Sequence, residues 1–349
     1  MPIRNRYLRR SIWIGLFLLA LAFRAILSSE AMESFYSMGI YPSVRHVQGF
    51  FSGLSPVPLV YLLLLALLAI TVRVFIVKGR RRGLWAILSA VFFLAFSFLA
   101  LWGFHYKRVP FEKKTGLSVK PLDAIALEEE YDLATMDVLA SRAEMRHPLD
   151  SGMTGFYAFP HLERALLPRV KAAVGSWGYP VGGKVRARMI YPKGILLRFS
   201  SSGVYLPWTG EGHIDAGLHP LNWPFVIAHE MSHGYGIANE GACNFLAYQV
   251  CSTDPDPYIR YAGNLYYWRY AAYEMKRFCP LELEERIQAL PEGIRMDLQA
   301  IRDNYDSYPD LIPRWKDLVY DSFLKSQGLK EGILSYDKVL VLTHAWRKR

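Results

Sequence analysis

The first 104 residues form three long apolar runs separated by short polar stretches. The runs cover about residues 12–28, 57–77 and 84–104, and each approaches the roughly 20 residues that cross the hydrocarbon core of a bilayer. The first run could instead be a signal peptide, because arginines precede it and Ser28-Ser29 follow it. A retained helix is favoured, because no small-x-small cleavage site follows it. The pattern therefore predicts three transmembrane helices within residues 1–104.

Residues 105–349 mix polar and apolar positions in the way that is typical of a domain folded in water. Short β-like runs bounded by Gly and Ser predict strands at Val185–Tyr191 and Gly203–Leu206. Strands followed by helices predict an α+β domain that is mainly helical and has a small sheet. Two helices should close the chain, and the other predicted helices are Pro121–Arg146, Asn222–Gly236, Glu240–Cys251, Asp256–Phe278 and Leu281–Tyr305.

The formal net charge of +10 belongs almost wholly to the apolar third of the chain. Residues 1–104 hold 11 of the 41 Lys and Arg residues but only 2 of the 31 Asp and Glu residues. A basic nucleic-acid-binding domain is disfavoured, because residues 105–349 are nearly neutral. Basic clusters at the N-terminus and at 78–82 predict that both lie in the cytoplasm. A chain with three spans would then carry residues 105–349 on the outer, periplasmic face of a bacterial cytoplasmic membrane.

The segment His229–His233 reads His-Glu-Met-Ser-His. On a helix, two histidines four residues apart share one face and can bind one metal ion. Zinc is the ion that neutral imidazoles favour, and a bound zinc ion acidifies a water molecule from which Glu230 can take a proton. The alternative is a pair of core histidines that are hydrogen-bonded to backbone.

A catalytic zinc site needs a third protein ligand and an open fourth position. Glu240, which begins the helical pattern after the glycines at 234 and 236, is the favoured third ligand. The alternatives are His213 and His219, and Glu240 would then be a first-turn acid favoured by the helix dipole. Asn244 is one turn beyond Glu240, where it can hydrogen-bond a ligand.

The segment Asn239–Asn244 resembles the glutamate-zincin helix, in which Glu is the third ligand, although the gap after His233 is much shorter. The segment His233–Gly236 is similar to the metzincin pattern, but Asn239 occupies the place of that family's third histidine. A closer similarity is to an uncharacterised family of bacterial membrane-anchored HExxH proteins, a domain of unknown function. It covers most of the chain, and Ala242 stands where members often carry a second acid. The matching segments are His105–Pro110, Gly203–Glu211, Pro224–Gly236 and Glu240–Tyr248.

This resemblance implies a zincin-like domain with zinc as its cofactor. Zincins place an edge strand before the metal helix, and an extended substrate can pair with it. In this chain the corresponding stretch is Gly203–Asp215, whose Glu211 and His213 could face the cleft, although an ordinary strand and turn is the alternative. Hydrolysis also needs a donor for the oxyanion of the transition state. The candidates in the sequence are Tyr205, His213, Arg260 and Tyr261.

The sequence thus predicts a membrane-anchored zinc metallopeptidase that hydrolyses peptide or other amide bonds. Its partners would be a peptide or protein substrate and the lipid bilayer. The alternative is a non-catalytic membrane receptor or assembly factor with a structural zinc ion. Glu230 and an open coordination position favour the enzyme, because a structural site is closed by a fourth protein ligand.

Overall fold

A computed structural model of the chain describes residues 2–311, 322 and 338–349. The chain divides into two compact units. The first unit comprises Met1–Val109 and the short segments Gly182–Val185 and Leu206–Glu211. The second unit comprises Pro110–Val181, Arg186–Tyr205 and Gly212–Arg349.

The first unit is helical. Its helices are α1 (Pro2–Ile26), α2 (Ser29–Met32), a π-helix (Glu33–Ile40), α3 (Tyr41–Leu54), α4 (Leu59–Leu101) and a 3-10 turn (Gly103–Lys107). Helix α1 packs along the second half of α4 through aromatic pairs, with the Trp13 and Phe93 rings 4.6 Å apart. A buried ion pair joins Arg108 to Glu33 through two contacts of 2.7 Å, and this fixes the end of the unit to its π-helix.

The structure corrects the prediction that the apolar runs 57–77 and 84–104 are two separate transmembrane helices. The structure continues one helix of 43 residues, about 64 Å long, through these positions. The physical reason is that Lys and Arg are good helix formers, and the two flanking glycines cost only about 1 kcal/mol each in a helix. No proline is present to end it. The basic cluster is therefore part of a helix rather than a turn.

One stretch of the described residues, Leu59–Ile76 in α4, is long and apolar enough to cross a membrane, with a mean hydropathy of 2.7. None of it is buried inside the protein. Two of the three predicted spans do not reach that length, because the apolar segments Ile12–Ile26 and Trp85–Leu101 are shorter. The unpacked leucines of Leu59–Ile76 therefore mark this segment as the one suited to lipid.

The second unit is mainly helical and has a small sheet, as the sequence predicts. Its helices are α5 (Phe111–Thr115), α6 (Ala124–Ala143), α7 (Phe159–Ser176), α8 (Trp223–Gly234), α9 (Glu240–Ser252), α10 (Pro257–Phe278), α11 (Pro280–Gln288), α12 (Glu292–Asp306) and α13 (Lys338–Arg347). Helices α6, α8 and α9 all pack against α10, whose apolar side lies in the core. Of the two predicted closing helices, α13 is one, and the other falls outside the described residues.

The strands are β1 (Arg186–Ile190), β2 (Gly203–Leu206) and β3 (Glu211–Asp215), arranged in the order β1-β3-β2. A connection of four residues joins β2 to β3, so these two strands form an antiparallel hairpin. The hydrogen bond from Asp215 N to Ser202 O sets the register, which places Tyr205 opposite Gly212. Strand β2 lies at one edge of this sheet.

Three further differences from the sequence-based expectations have a clear physical reason. Strand β3 was not predicted as a separate strand, because all five of its residues are buried and the usual alternation of polarity is lost. Helix α7 was missed, because it contains an internal proline, Pro168, which normally breaks a helix. The helix predicted for Leu281–Tyr305 is two helices, because Pro291 interrupts it.

Cysteine labelling tests whether Leu59–Ile76 lies in lipid. In a Cys279→Ser background, which removes the exposed native thiol, Leu64→Cys and Leu68→Cys should resist a water-soluble maleimide in membrane vesicles. Both side chains are exposed in the protein, so only lipid can shield them. The matched control is Met136→Cys, an equally exposed apolar position on α6, which should label quickly once both membrane faces are accessible. Equal labelling at all three sites would show that the segment lies in water.

Candidate metal centre

Helix α8 carries the two histidines of the His229–His233 segment. Pro224 lies in its first turn, where a missing backbone N–H costs nothing, and the helix interior is apolar. The four-residue spacing brings His229 Nε2 and His233 Nε2 to 3.1 Å from each other. Both imidazoles are largely enclosed, with 12% and 7% of the side chain exposed.

The chain reverses directly after α8 and returns as α9. Gly236 adopts a left-handed backbone conformation with φ of +85°, which an L side chain rarely takes. Asn239 then caps α9, because its side chain accepts a hydrogen bond from Ala242 N at 2.9 Å. Glu240 is consequently the first residue of a helix packed against α8, and its carboxylate faces the histidines.

The carboxylate of Glu240 completes a group of three potential metal ligands. Its Oε2 lies 3.2 Å from His229 Nε2 and 3.3 Å from His233 Nε2. Among the described residues, this is the one group of three or more His, Cys, Asp or Glu side chains that could hold a metal ion. His213 and His219, the alternative third ligands, are not part of it.

The hydrogen bonds made by the two Nδ1 atoms determine which nitrogen of each imidazole carries a hydrogen. His229 Nδ1 donates to Asn244 Oδ1 at 2.7 Å, and His233 Nδ1 donates to the carbonyl of Ile237 at 2.8 Å. In the neutral rings, both Nε2 atoms therefore present lone pairs to the shared point. Two nitrogen lone pairs and a carboxylate oxygen meet there, and this arrangement is repulsive unless a cation lies among them.

The pKa values of the group show the same demand for positive charge. Burial opposes ionisation of Glu240, but the two histidines outweigh it and hold the pKa of its carboxyl well below its usual range. Burial alone would lower the pKa of the His233 imidazole, but Cys243 and Glu240 raise it well above its usual value. Without a metal ion, a proton would have to occupy this place.

The distances fit a metal ion better than a proton. In a tetrahedral zinc site with bonds of about 2.0–2.1 Å, neighbouring ligand atoms are about 3.3 Å apart. The three separations observed here are 3.1, 3.2 and 3.3 Å. A single proton bridges only one pair of atoms, whereas one ion accepts all three lone pairs. The residues present therefore fit a metal ion with the coordination geometry of zinc.

Glu230 is next to this group and is almost fully enclosed. Two glycines make room for it, because a Cβ at Gly203 would lie 2.7 Å from Glu230 Oε1, and one at Gly212 would lie 2.5 Å from Glu230 Cβ. Strands β2 and β3 thus contact the helix directly at the glutamate. Burial raises the pKa of the Glu230 carboxyl to about 7, although the two histidines act in the opposite direction.

The four candidate oxyanion donors lie at different positions relative to Glu230. Tyr205 is opposite Gly212 in the hairpin, so the register places it on the sheet face that contacts Glu230. His213 alternates to the other face, and burial together with Arg188 lowers the pKa of its imidazole to about 4. Tyr261 donates to Asp297 at 2.6 Å, and Arg260 contacts Glu144, so both are engaged elsewhere.

A family model described as a protein of unknown function, DUF3810, matches residues 36–343. The chain belongs to this family. No curated protein and no solved structure matches the chain. The matched span of the DUF3810 protein includes all three potential ligands, Glu230 and the β2–β3 hairpin, but the family description names no activity.

Several supporting residues of the DUF3810 site were not identified from sequence. Cys243 Sγ lies 3.4 Å from His233 Nδ1 and 3.3 Å from the Ile237 carbonyl, on the ring edge away from the shared point. The signal in the sequence that could have identified Cys243 was its position one helical turn after Glu240. Gly203 and Gly212 were also overlooked, although glycine inside a strand often marks a close approach of another element. Glu211, once considered for the cleft, instead accepts hydrogen bonds from Ser52 and the backbone of Leu59.

The role of Glu240 is tested by the zinc content of purified variants. Glu240→Ala should lower zinc affinity severely, because only two imidazoles remain. Asn244→Ala should weaken zinc binding about 10–100-fold, as changes to residues that orient ligands do. The matched control is Glu292→Ala, which removes a first-turn acid from α12 and should leave the zinc content unchanged. If Glu240→Ala behaves like Glu292→Ala, Glu240 is only a helix-start acid.

Proposed function

We propose that this DUF3810 protein is a membrane-anchored zinc metallopeptidase that hydrolyses peptide or other amide bonds. His229, His233 and Glu240 would hold the zinc ion, and Glu230 would act as the base. The observation that carries the proposal is the convergence of two imidazole lone pairs and one carboxylate oxygen at a single point. A second buried carboxylate, that of Glu230, lies beside this point.

The number of ligands favours a catalytic ion over a structural one. The group contains three protein ligands among the described residues, whereas a structural tetrahedral site is closed by four. Cys243 is near, but it contacts the Nδ1 edge of His233 rather than the Nε2 edge. A position for water or substrate is therefore left open, which argues against the alternative of a receptor with structural zinc.

A zinc ion at this site would act as a Lewis acid that polarises the amide carbonyl and acidifies water. Glu230 would receive the proton at its Oε2, which is buried and has no hydrogen-bond partner among the described residues. A carboxylate in that position can accept a proton from the attacking water and later release it to the leaving amine. Its enclosure by the hairpin would limit its freedom to move away.

The hairpin would position the substrate. Strand β2 is an edge strand, so an extended peptide could pair with its outer backbone groups. That placement would bring the scissile bond next to Glu230, because Gly203 of the same strand contacts it. Tyr205 is the donor candidate that the strand register favours for the oxyanion.

We also propose that the second unit lies on the outer face of the bacterial cytoplasmic membrane. This orientation is supported by the basic N-terminal segment, which would remain in the cytoplasm while Leu59–Ile76 crosses the membrane once. A C-terminal alkaline phosphatase fusion should be active, because that enzyme folds only outside the cytoplasm. An inactive phosphatase fusion together with a fluorescent C-terminal green reporter would place the unit in the cytoplasm, which is the outcome expected if the 78–82 cluster sets the orientation.

Glu230→Gln separates catalysis from zinc binding. The variant should keep its zinc ion but lose hydrolysis by several orders of magnitude, because the base is removed while the ligands remain. The measurement is mass-spectrometric detection of cleavage products after incubation with a peptide library. The zinc content of each sample is measured in parallel.

Three controls define the outcome of that experiment. Glu163→Gln removes a carboxylate that is tied to Arg186 away from the site and should leave hydrolysis intact if the fold is retained. Wild-type protein loaded with zinc but yielding no products from any peptide would favour the non-catalytic alternative. Equal cleavage by wild type and Glu230→Gln would contradict the role of the base.

A further inference from the structure

A second candidate site is a cavity of about 490 Å³ in the second unit, lined by residues that the metal centre does not use. Its walls are the segment 116–126, which leads into α6, and the last turns of α13. A cavity of this volume is within the range that small-molecule sites occupy. Nothing in the proposed peptidase chemistry requires it.

The lining of the cavity is cationic. The side chains of Lys120, Lys348 and Arg349 carry positive charge, and Asp123 is the one acidic side chain among the lining residues. That carboxylate already accepts a hydrogen bond from Ala126 N at 2.8 Å as the cap of α6. The cavity therefore offers an excess of positively charged side chains to a ligand.

His344 adds a polar group held in a fixed orientation. Its Nδ1 lies 3.2 Å from Oε2 of Glu130, a fully buried carboxylate that also accepts a hydrogen bond from Tyr267 at 2.7 Å. Because Nδ1 is engaged there and the side chain lines the cavity, the Nε2 edge is left for the cavity. An imidazole held in place by a buried acid is a more specific feature than surface lysines alone.

The two lysines are available to a ligand. No carboxylate among the described residues pairs with Lys120, which is exposed. Lys348 Nζ lies 3.3 Å from Glu129 Oε2, but both side chains are about half exposed, so water screens this pair. A doubly charged anion in the cavity would therefore compete well for both ammonium groups.

We propose that this cavity binds a small ligand through a phosphate group. Phosphate suits the site because it is a compact anion that accepts hydrogen bonds from lysine ammonium groups on several sides. The phosphate could belong to a soluble phosphate ester or to a phospholipid headgroup, since the chain also carries an apolar helix suited to lipid.

Thermal unfolding of the purified full chain in detergent tests the proposal. Inorganic phosphate, compared with sodium chloride at equal ionic strength, should raise the melting temperature with saturation, as a ligand of the folded state does. The double variant Lys120→Ala/Lys348→Ala should bind phosphate at least about tenfold more weakly, because two charged contacts are lost. The control Lys171→Ala/Lys276→Ala makes the same charge change at exposed positions outside the cavity and should respond like wild type.

A second arm distinguishes the two sources of phosphate. If the natural ligand is a headgroup, nanodiscs of phosphatidylglycerol should stabilise wild type more than nanodiscs of phosphatidylcholine, and the cavity double variant should lose that difference. The proposal is overturned if neither free phosphate nor phosphatidylglycerol stabilises wild type, or if both double variants respond equally. Bound zinc should stay unchanged in all of these variants, so the result does not depend on the metal centre.

Discussion

The arrangement of the second unit around α8 depends on the meeting of three electron-rich atoms at one buried point. Two imidazole nitrogens and one carboxylate oxygen lie 3.1–3.3 Å from each other, with little water to screen them. Such a group is stable only with positive charge at its centre. The left-handed glycine after α8, the cap of α9 and the acceptors for both Nδ1 atoms all orient the group toward that point.

The surroundings of Glu230 follow from the same geometry. In the proposed mechanism the base must be close to the ion without becoming a ligand, so the Glu230 side chain has to be held to one side. Gly203 and Gly212 allow the β2–β3 hairpin to contact the glutamate directly, which a side chain at either position would prevent. The same contact brings an open strand edge beside Glu230. Binding of an extended chain and proton transfer would thus be organised by one short hairpin.

The sequence predicted the group of three potential ligands and the α+β architecture, because these depend on local signals. Two histidines four residues apart on one helix and an acid at the start of the next helix are visible without coordinates. The choice between Tyr205 and His213 was not visible, because it depends on strand register, and a one-residue shift exchanges the two faces. The continuous α4 was also missed, because a run of lysine and arginine is compatible with both a loop and a helix.

X-ray absorption at the zinc edge of the purified full chain tests the central claim most directly, because it reports the atoms bound to the ion without needing a substrate. The account predicts one zinc ion per chain with nitrogen and oxygen neighbours at about 2.0–2.2 Å, including two imidazoles and no sulfur. A sulfur neighbour at about 2.3 Å would place Cys243 on the ion and contradict the assigned ligand set. A chain that retains no zinc or other divalent metal would contradict the metal centre itself.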